Sequence, residues 1–187
     1  MSYGLEDLEE LFAYLSSLGV KIAIVGSTAL QYHMGVRRFE EDLDLFVYEG
    51  SILDQEDRVR RDLSRKGWDI GSTELSTPKI IIRRNEREIE VEIYENIYDL
   101  YIPIEMIERA REVKIGSSMV KILLPEQYIV LKARAGREKD LEDLRVISDM
   151  IREGRLRIST SIMREMISLF EDERVILSRL RSVGIKI

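Results

Sequence analysis

The stretch "IVGSTALQYHMGVRRFEEDLDLFVYEG", residues 24–50, decides how the rest of the chain is read. It opens on the end of an apolar, β-branched run, "KIAIV" (21–25), the pattern of a short buried strand. Gly26 and Ser27 follow, and Ser27 is a suitable cap for a helix through "TALQYHM" to Gly35. A charged connection, "VRRFEE" (36–41), leads into "DLDLFVY", which alternates as a strand does. In an extended segment Asp42 and Asp44 share one face, and Leu43 and Leu45 share the other. Aspartate is depleted in strands and costly beside a core, so the pair asks for a reason.

Two carboxylates about 7 Å apart on one strand face repel one another unless a cation stands nearby. Mg²⁺ suits such a place, because it takes hard oxygen ligands and binds through one or two carboxylates together with phosphate and water. An exposed strand face with two ordinary aspartates has the same pattern. The Gly-Ser turn adds weight to the first reading. A strand that runs directly into a helix leaves unpaired backbone N–H groups at the helix start, and these can hold phosphate. Gly26 would let the backbone come close, and the Ser27 hydroxyl would add a donor.

Outward from this stretch the chain reads as mixed α and β first and all helix last. Leu5, Leu8, Leu11, Phe12, Leu15 and Leu18 have helical spacing, stopped by Gly19. Residues 52–66 form a second helix ending at Gly67. "KIIIRR" (79–84) and "REIEVEIYE" (87–95) are strands around a turn at Asn85-Glu86. A helical turn near 103–110 precedes a second hairpin, "EVKIGSSMVKILL", turning at Gly116-Ser117-Ser118. Pro125 opens a helix to about Ala135. After Gly136 a longer helix buries Leu141, Leu144, Ile147 and Ile151. Residues 159–183 supply one or two more. The expected architecture is α+β, a mixed sheet flanked by helices, with residues 1–124 as the core and 125–187 as a helical region packed on it.

In the strand "EIEVEIYE", Glu88, Glu90 and Glu92 fall opposite Ile89, Val91 and Ile93. If this strand lies beside the aspartate strand, one Glu completes an acidic triad. Such a carboxylate serves as a metal ligand or as a base for an incoming hydroxyl. Glu92 lies deeper in the apolar run and is preferred, with Glu90 second.

Composition narrows the function classes. The 187 residues carry 34% charged side chains and a net charge of −6, which disfavours broad binding to nucleic acid but leaves room for a local basic patch. With no cysteine there is no disulfide framework, no thiolate zinc site and no thiol nucleophile. The single histidine, His33, makes neither a metal cluster nor a catalytic triad. Zero Cys, only three Pro and abundant Ile, Arg and Glu fit a thermophile composition. No apolar run approaches the roughly 20 residues of a membrane span, and "MSYGLEDLEELF" is wrong for a signal peptide, so a cytoplasmic protein is expected.

Gly-Ser at a strand-to-helix turn, Asp-x-Asp in a following strand and a later carboxylate strand together resemble the nucleotidyltransferase superfamily, with its polymerase-β-like core. "GSTALQYHMGVRRFEEDLDLF" is similar to the small prokaryotic branch of minimal nucleotidyltransferases and abortive-infection toxins. "LLPEQYIVLKARAGREKDLEDLRVI" resembles the helical motif downstream in that branch. The likeness runs from residue 21 to about 150. It implies that Gly26 and Ser27 hold the phosphates of a nucleoside triphosphate, and that Asp42, Asp44 and Glu92 bind Mg²⁺ and carry catalysis. Glu92 stands where the family usually has Asp or Glu. Lys132 matches a helix lysine that meets phosphate, and Arg137, Lys139, Asp140 and Asp143 match the later motif, with Asp140 orienting Lys132 or the nucleotide. A capped, salt-bridged helix start explains the last group as well.

Arg37 and Arg38 could touch the triphosphate or pair with Glu40 and Glu41. Trp68, Tyr94, Tyr98 and Tyr101 could stack a base, or simply pack at the edge of the core. The implied reaction moves a nucleoside monophosphate to a hydroxyl on RNA, protein or a small molecule. The alternative is a toxin–antitoxin component on the same fold, with a cognate toxin or antitoxin as partner and weak or no catalysis.

Overall fold

The computed structural model describes residues 2–73, 76–84, 87–95 and 101–187, with Arg84 and Arg87 described in their backbone alone. The chain divides into two compact units, Met1–Leu123 and Leu124–Ile187.

The first unit is built on a seven-stranded mixed sheet in the order β3-β4-β5-β2-β1-β7-β6. A 3-10 turn, Leu5–Leu8, leads into α1 (Glu9–Ser17), whose Leu11, Phe12 and Leu15 are buried as the spacing requires. Gly19, at φ +73°, ends it in the left-handed conformation that glycine adopts without strain. Then come β1 (Lys21–Ile24), α2 (Gly26–His33) and β2 (Leu43–Glu49). Helix α3 (Glu56–Arg65) precedes three strands: β3 (Asp69–Ser72), β4 (Pro78–Arg84) and β5 (Arg87–Tyr94). The unit closes with α4 (Ile104–Glu108), β6 (Arg111–Ile115) and β7 (Ser118–Ile122). Helix α2 packs on β2, α1 on β7 and α3 on β3.

Strand β2 lies at the middle of the sheet, antiparallel to β1 and parallel to β5. Its Leu43 and Leu45 are fully buried, as are Val91 and Ile93 of β5, so the apolar halves of both alternating patterns meet in the core. Burial of Phe46 and Val47 on successive positions shows that the strand is covered on both faces past Leu45. Strands β4 and β5 pair antiparallel from Lys79↔Glu92 to Arg84↔Arg87, and the predicted turn residues 85 and 86 lie outside the described residues.

Two local expectations need correction, and one strand lies outside them. Helix α2 begins at Gly26, not after a Ser27 cap; Gly26 takes φ +65° and Val25 holds the cap position, so Ser27 already lies inside the first turn. Asp42 precedes β2 rather than opening it. Strand β3 escapes the sequence pattern because its four residues expose all but Ile70, which is half-buried; it is an edge strand.

The second unit is helical: α5 (Pro125–Ala135), α6 (Glu138–Arg152), α7 (Thr160–Ile167) and α8 (Glu173–Ser182). Helix α5 packs against the other three. Its end is closed by Gly136 at φ +62°, and Arg179 of α8 donates to the terminal carbonyls of Ala133 and Arg134, a cation set on the negative end of the helix dipole. In α6, Leu144 and Ile147 are buried and Leu141 and Ile151 half-buried, the stripe that the periodicity predicts.

Candidate active site

The acidic residues of the first unit gather where β2 and β5 run side by side. Their parallel register pairs Asp44 with Glu92 and Leu43 with Val91. Alternation then sends Asp44 and Glu92 to the polar side of the sheet while their neighbours fill the core. The backbone N–H of Val25 donates to the carbonyl of Asp44 at 2.9 Å, tying the end of β1 to this point of β2.

Asp44 lies against Gly26. A Cβ placed on Gly26 would collide with the Asp44 carboxylate and stand only 2.8 Å from its Cγ and 3.0 Å from its Cβ. The glycine is therefore required twice, by its positive φ and by the carboxylate that occupies the space of a side chain. The result places Asp44 at the first turn of α2, whose leading N–H groups lack intrahelical acceptors. Ser27 Oγ donates to Glu41.

A second group of carboxylates closes around Lys79 of β4, a residue that the sequence pattern alone left unmarked. Its Nζ forms an ion pair with Glu90, and lies 3.5 Å from Glu92 Oε1 and 3.9 Å from Asp42 Oδ2. The signal was available in the hairpin. Lys79 alternates with the buried Ile80 and Ile82, so it faces the same side as the glutamates, and the pairing register sets it opposite Glu92. Tyr94 OH donates to the other oxygen of Glu92. The carboxyl of Asp42 is raised above its ordinary pKa by desolvation first and by the nearby charge of Glu90 second, with Lys79 opposing. Lys79 is itself raised, chiefly by its hydrogen bond to Glu90.

Tyr3, also unmarked by the sequence pattern, borders this region. Its backbone bridges to Phe39, its ring leans on Phe39 and its hydroxyl stands 3.5 Å from Thr28 Oγ1 of α2. Burial pushes its phenol up to about 12, helped by the charges of Asp44, Asp42 and Glu41. A cleft of about 120 Å³ is lined by Tyr3, Glu40, Glu41, Asp42, Glu88, Ile89 and Glu90.

The other candidate residues take the following places. Arg38 is engaged with the N-terminal segment, donating to Asp7 at 3.1 Å and to the Ser2 carbonyl at 2.7 Å. Arg37 donates to the carbonyls of Tyr32 and Val36. Trp68 is buried, Tyr101 is about half exposed, and Tyr98 lies outside the described residues. In the helical unit, Lys132 reaches Asp140 and Asp143, each at 2.8 Å. Asp140 is fully buried and also accepts from the backbone N–H and the guanidinium of Arg137 at the start of α6. Burial alone would raise the Asp140 carboxyl, but hydrogen bonds from Arg137 and Lys132 outweigh it and hold the group below the usual range. Lys132 is in turn raised, against its own desolvation, by its hydrogen bonds to Asp140 and Asp143. Lys139 is exposed.

Among the described residues no three Asp, Glu or His side chains are arranged as a ready metal cage. Asp42, Glu90 and Glu92 converge instead on an ammonium group. That convergence is a direct sign that the position favours a cation, and hard carboxylate oxygens are the donors that Mg²⁺ takes. The donor set thus fits a divalent ion. Among the described residues no helix is long and apolar enough to cross a membrane.

The fold resembles that of an antigenic nucleotidyltransferase-like protein from Paracoccidioides brasiliensis, at 21% identity and a TM-score of 0.54, over 100% of this chain and 97% of that one. A looser likeness, at 14% identity and a TM-score of 0.45, links it to the antibiotic-resistance factor ANT(2'')-Ia over 95% of this chain and 91% of that one. No curated protein matches the sequence. The family profile described as nucleotidyl transferase of unknown function (DUF2204) matches residues 4–182, nearly the whole chain, and the chain belongs to that family of nucleotidyltransferases.

Proposed function

We propose that the chain moves a nucleoside monophosphate from a nucleoside triphosphate to a hydroxyl acceptor in a Mg²⁺-dependent reaction centred on Asp42, Asp44 and Glu92. The observation that carries this reading is the seating of the Asp44 carboxylate against Gly26 at the first turn of α2, in register with Glu92 on the parallel neighbour strand. A phosphate held at the α2 N-terminus by backbone N–H groups and Ser27 would lie beside these carboxylates. Asp42, Asp44 and Glu92 would hold the metal, which when bound would neutralise phosphate charge and polarise the reacting phosphoryl group.

The chemistry of this chain is then positioning and charge placement. The acceptor oxygen attacks the α-phosphorus, the bond to the bridging oxygen breaks, and pyrophosphate leaves with its electron pair. The proton of the acceptor hydroxyl passes to a carboxylate of the cluster, Glu92 in this reading, with Glu90 as the alternative. Tyr94 fixes the orientation of Glu92 through its second oxygen. Within the helical unit, Lys132, held in place by Asp140 and Asp143, is by itself a cation of the kind that meets phosphate.

The test is transfer of label from each α-labelled nucleoside triphosphate, with Mg²⁺, to bulk tRNA, total cell protein or a small-molecule extract. Wild-type protein labels one acceptor class, which names it. Asp42→Asn and Asp44→Asn each lower transfer by about 100-fold or more. Full activity in either variant removes that residue from the site, and no transfer to any acceptor overturns the reaction.

A further inference from the structure

We propose that Lys79 is a built-in counter-ion that competes with the divalent metal, so that it must release Asp42 and Glu92 before metal can load. Lys79 takes this role only if the carboxylates are metal ligands as proposed above. Among the described residues, every ion pair made by Asp42, Glu90 and Glu92 ends on Lys79. The ammonium is fixed from two directions: the β4–β5 register sets Lys79 opposite Glu92, and its side chain is only 22% exposed, as is that of Glu92.

Charge explains the consequence. Three carboxylates and one ammonium leave the cluster at −2, and without the ammonium it stands at −3. Like charges so close, partly withdrawn from water, repel strongly and draw in any cation that can reach them. A divalent ion entering the wild-type cluster must displace a single positive charge that already satisfies part of this field. The metal alone therefore binds weakly, and firm loading needs the substrate's phosphates to supply further ligands and to receive the displaced Lys79. Metal and nucleotide then bind together, and neither alone fills the site. Lys79 restrains idle metal loading while leaving a cation free to meet phosphate.

Titrating MnCl₂ alone into the full chain, followed by calorimetry, tests this without any turnover. Lys79→Met raises Mn²⁺ affinity by about tenfold or more, while Lys79→Arg, which keeps the charge, stays near wild type. Lys79→Gln keeps a hydrogen-bonding group and serves if the Met variant fails to fold; it too gains affinity. Asp42→Asn lowers affinity. Unchanged or weaker Mn²⁺ binding in both neutral variants, with Asp42→Asn still weakened, overturns the role of Lys79 and leaves the metal site standing. Mn²⁺ binding that ignores both Asp42→Asn and Asp44→Asn overturns the metal site and this role together.

Discussion

Replacing Gly26 by alanine separates the two demands placed on that residue. A non-glycine residue at φ +65° costs about 1–2 kcal/mol, reduced by the lower entropy that alanine gives the unfolded chain. Gly35→Ala carries the same backbone penalty, since Gly35 has φ +88°, but a Cβ there meets nothing within 4 Å. The net loss at Gly35 is about 1 kcal/mol. At Gly26 the new methyl also collides with the Asp44 carboxylate and crowds its Cβ, so rotating the carboxylate away does not clear it. Overpacking of this kind adds about 1–3 kcal/mol. For a chain of this length each kcal/mol moves the melting midpoint by about 2–4 °C. Thermal melts should place Gly26→Ala at two to four times the shift of Gly35→Ala, roughly. Nucleotide transfer should fall by about 100-fold in the first and stay near wild type in the second, because a displaced Asp44 misplaces the chemistry. Equal melting shifts together with an active Gly26→Ala protein would show that Asp44 does not depend on the bare glycine, and the assignment of this turn as the phosphate seat would fail with it.

Two further outcomes follow from the titrating groups. Tyr3 holds its proton in the native state to about pH 12, while the unfolded chain loses it near 10.0, so stability is full below pH 10 and falls as pH rises between these values, by about 2–3 kcal/mol in all. Alkaline unfolding curves of Tyr3→Phe should lack this decline, and a parallel decline in both proteins refutes it. Asp140→Asn removes a buried partner of Lys132 and Arg137 but leaves Asp143 beside the lysine, which points to the low end of the usual loss for a broken buried pair, about 3 kcal/mol. Because the Asp140 pKa is depressed, part of the wild-type stability is present above the ordinary carboxylate range and is lost as pH falls through the lower folded value, whereas the Asn variant shows no such acid step in urea titrations.

The central strands and the helical region were legible because their periods are clean. Leu43 and Leu45 against Asp44, and Ile89, Val91 and Ile93 against Glu90 and Glu92, mark the face of each strand by alternation alone. The α+β class follows from the order of elements, and the family likeness from four short motifs in sequence. Strand β3 was hidden because it buries too little apolar surface to leave a pattern. The sequence marks Gly26 as a point of close approach, but that Asp44 is what approaches it depends on β1 and β2 being neighbours, which alternation does not state. Lys79 escapes the sequence pattern for a different reason. A lysine at the start of an apolar run looks like an ordinary strand edge, and its meaning appears only when the hairpin register is followed across to Glu92. Tyr3 lies far in sequence from the acids and reaches them through its bridge to Phe39.

The parallel pairing of β2 with β5 has a consequence for how the protein acquires its chemistry. Antiparallel neighbours such as β4 and β5 can zip from a short turn, but parallel strands must wait for the chain between them to close on itself. Here that intervening chain includes α3, β3 and β4, so Asp44 and Glu92 come into register only after a long loop has been ordered. The half-site of Gly26 and Asp44 belongs to a local β1–α2–β2 unit, whereas the full acidic cluster exists only once β5 has paired with β2. A ribosome-bound or truncated chain ending before β5 would carry the glycine turn and both aspartates without Glu92, and the reactive centre would emerge only when β5 docks beside β2.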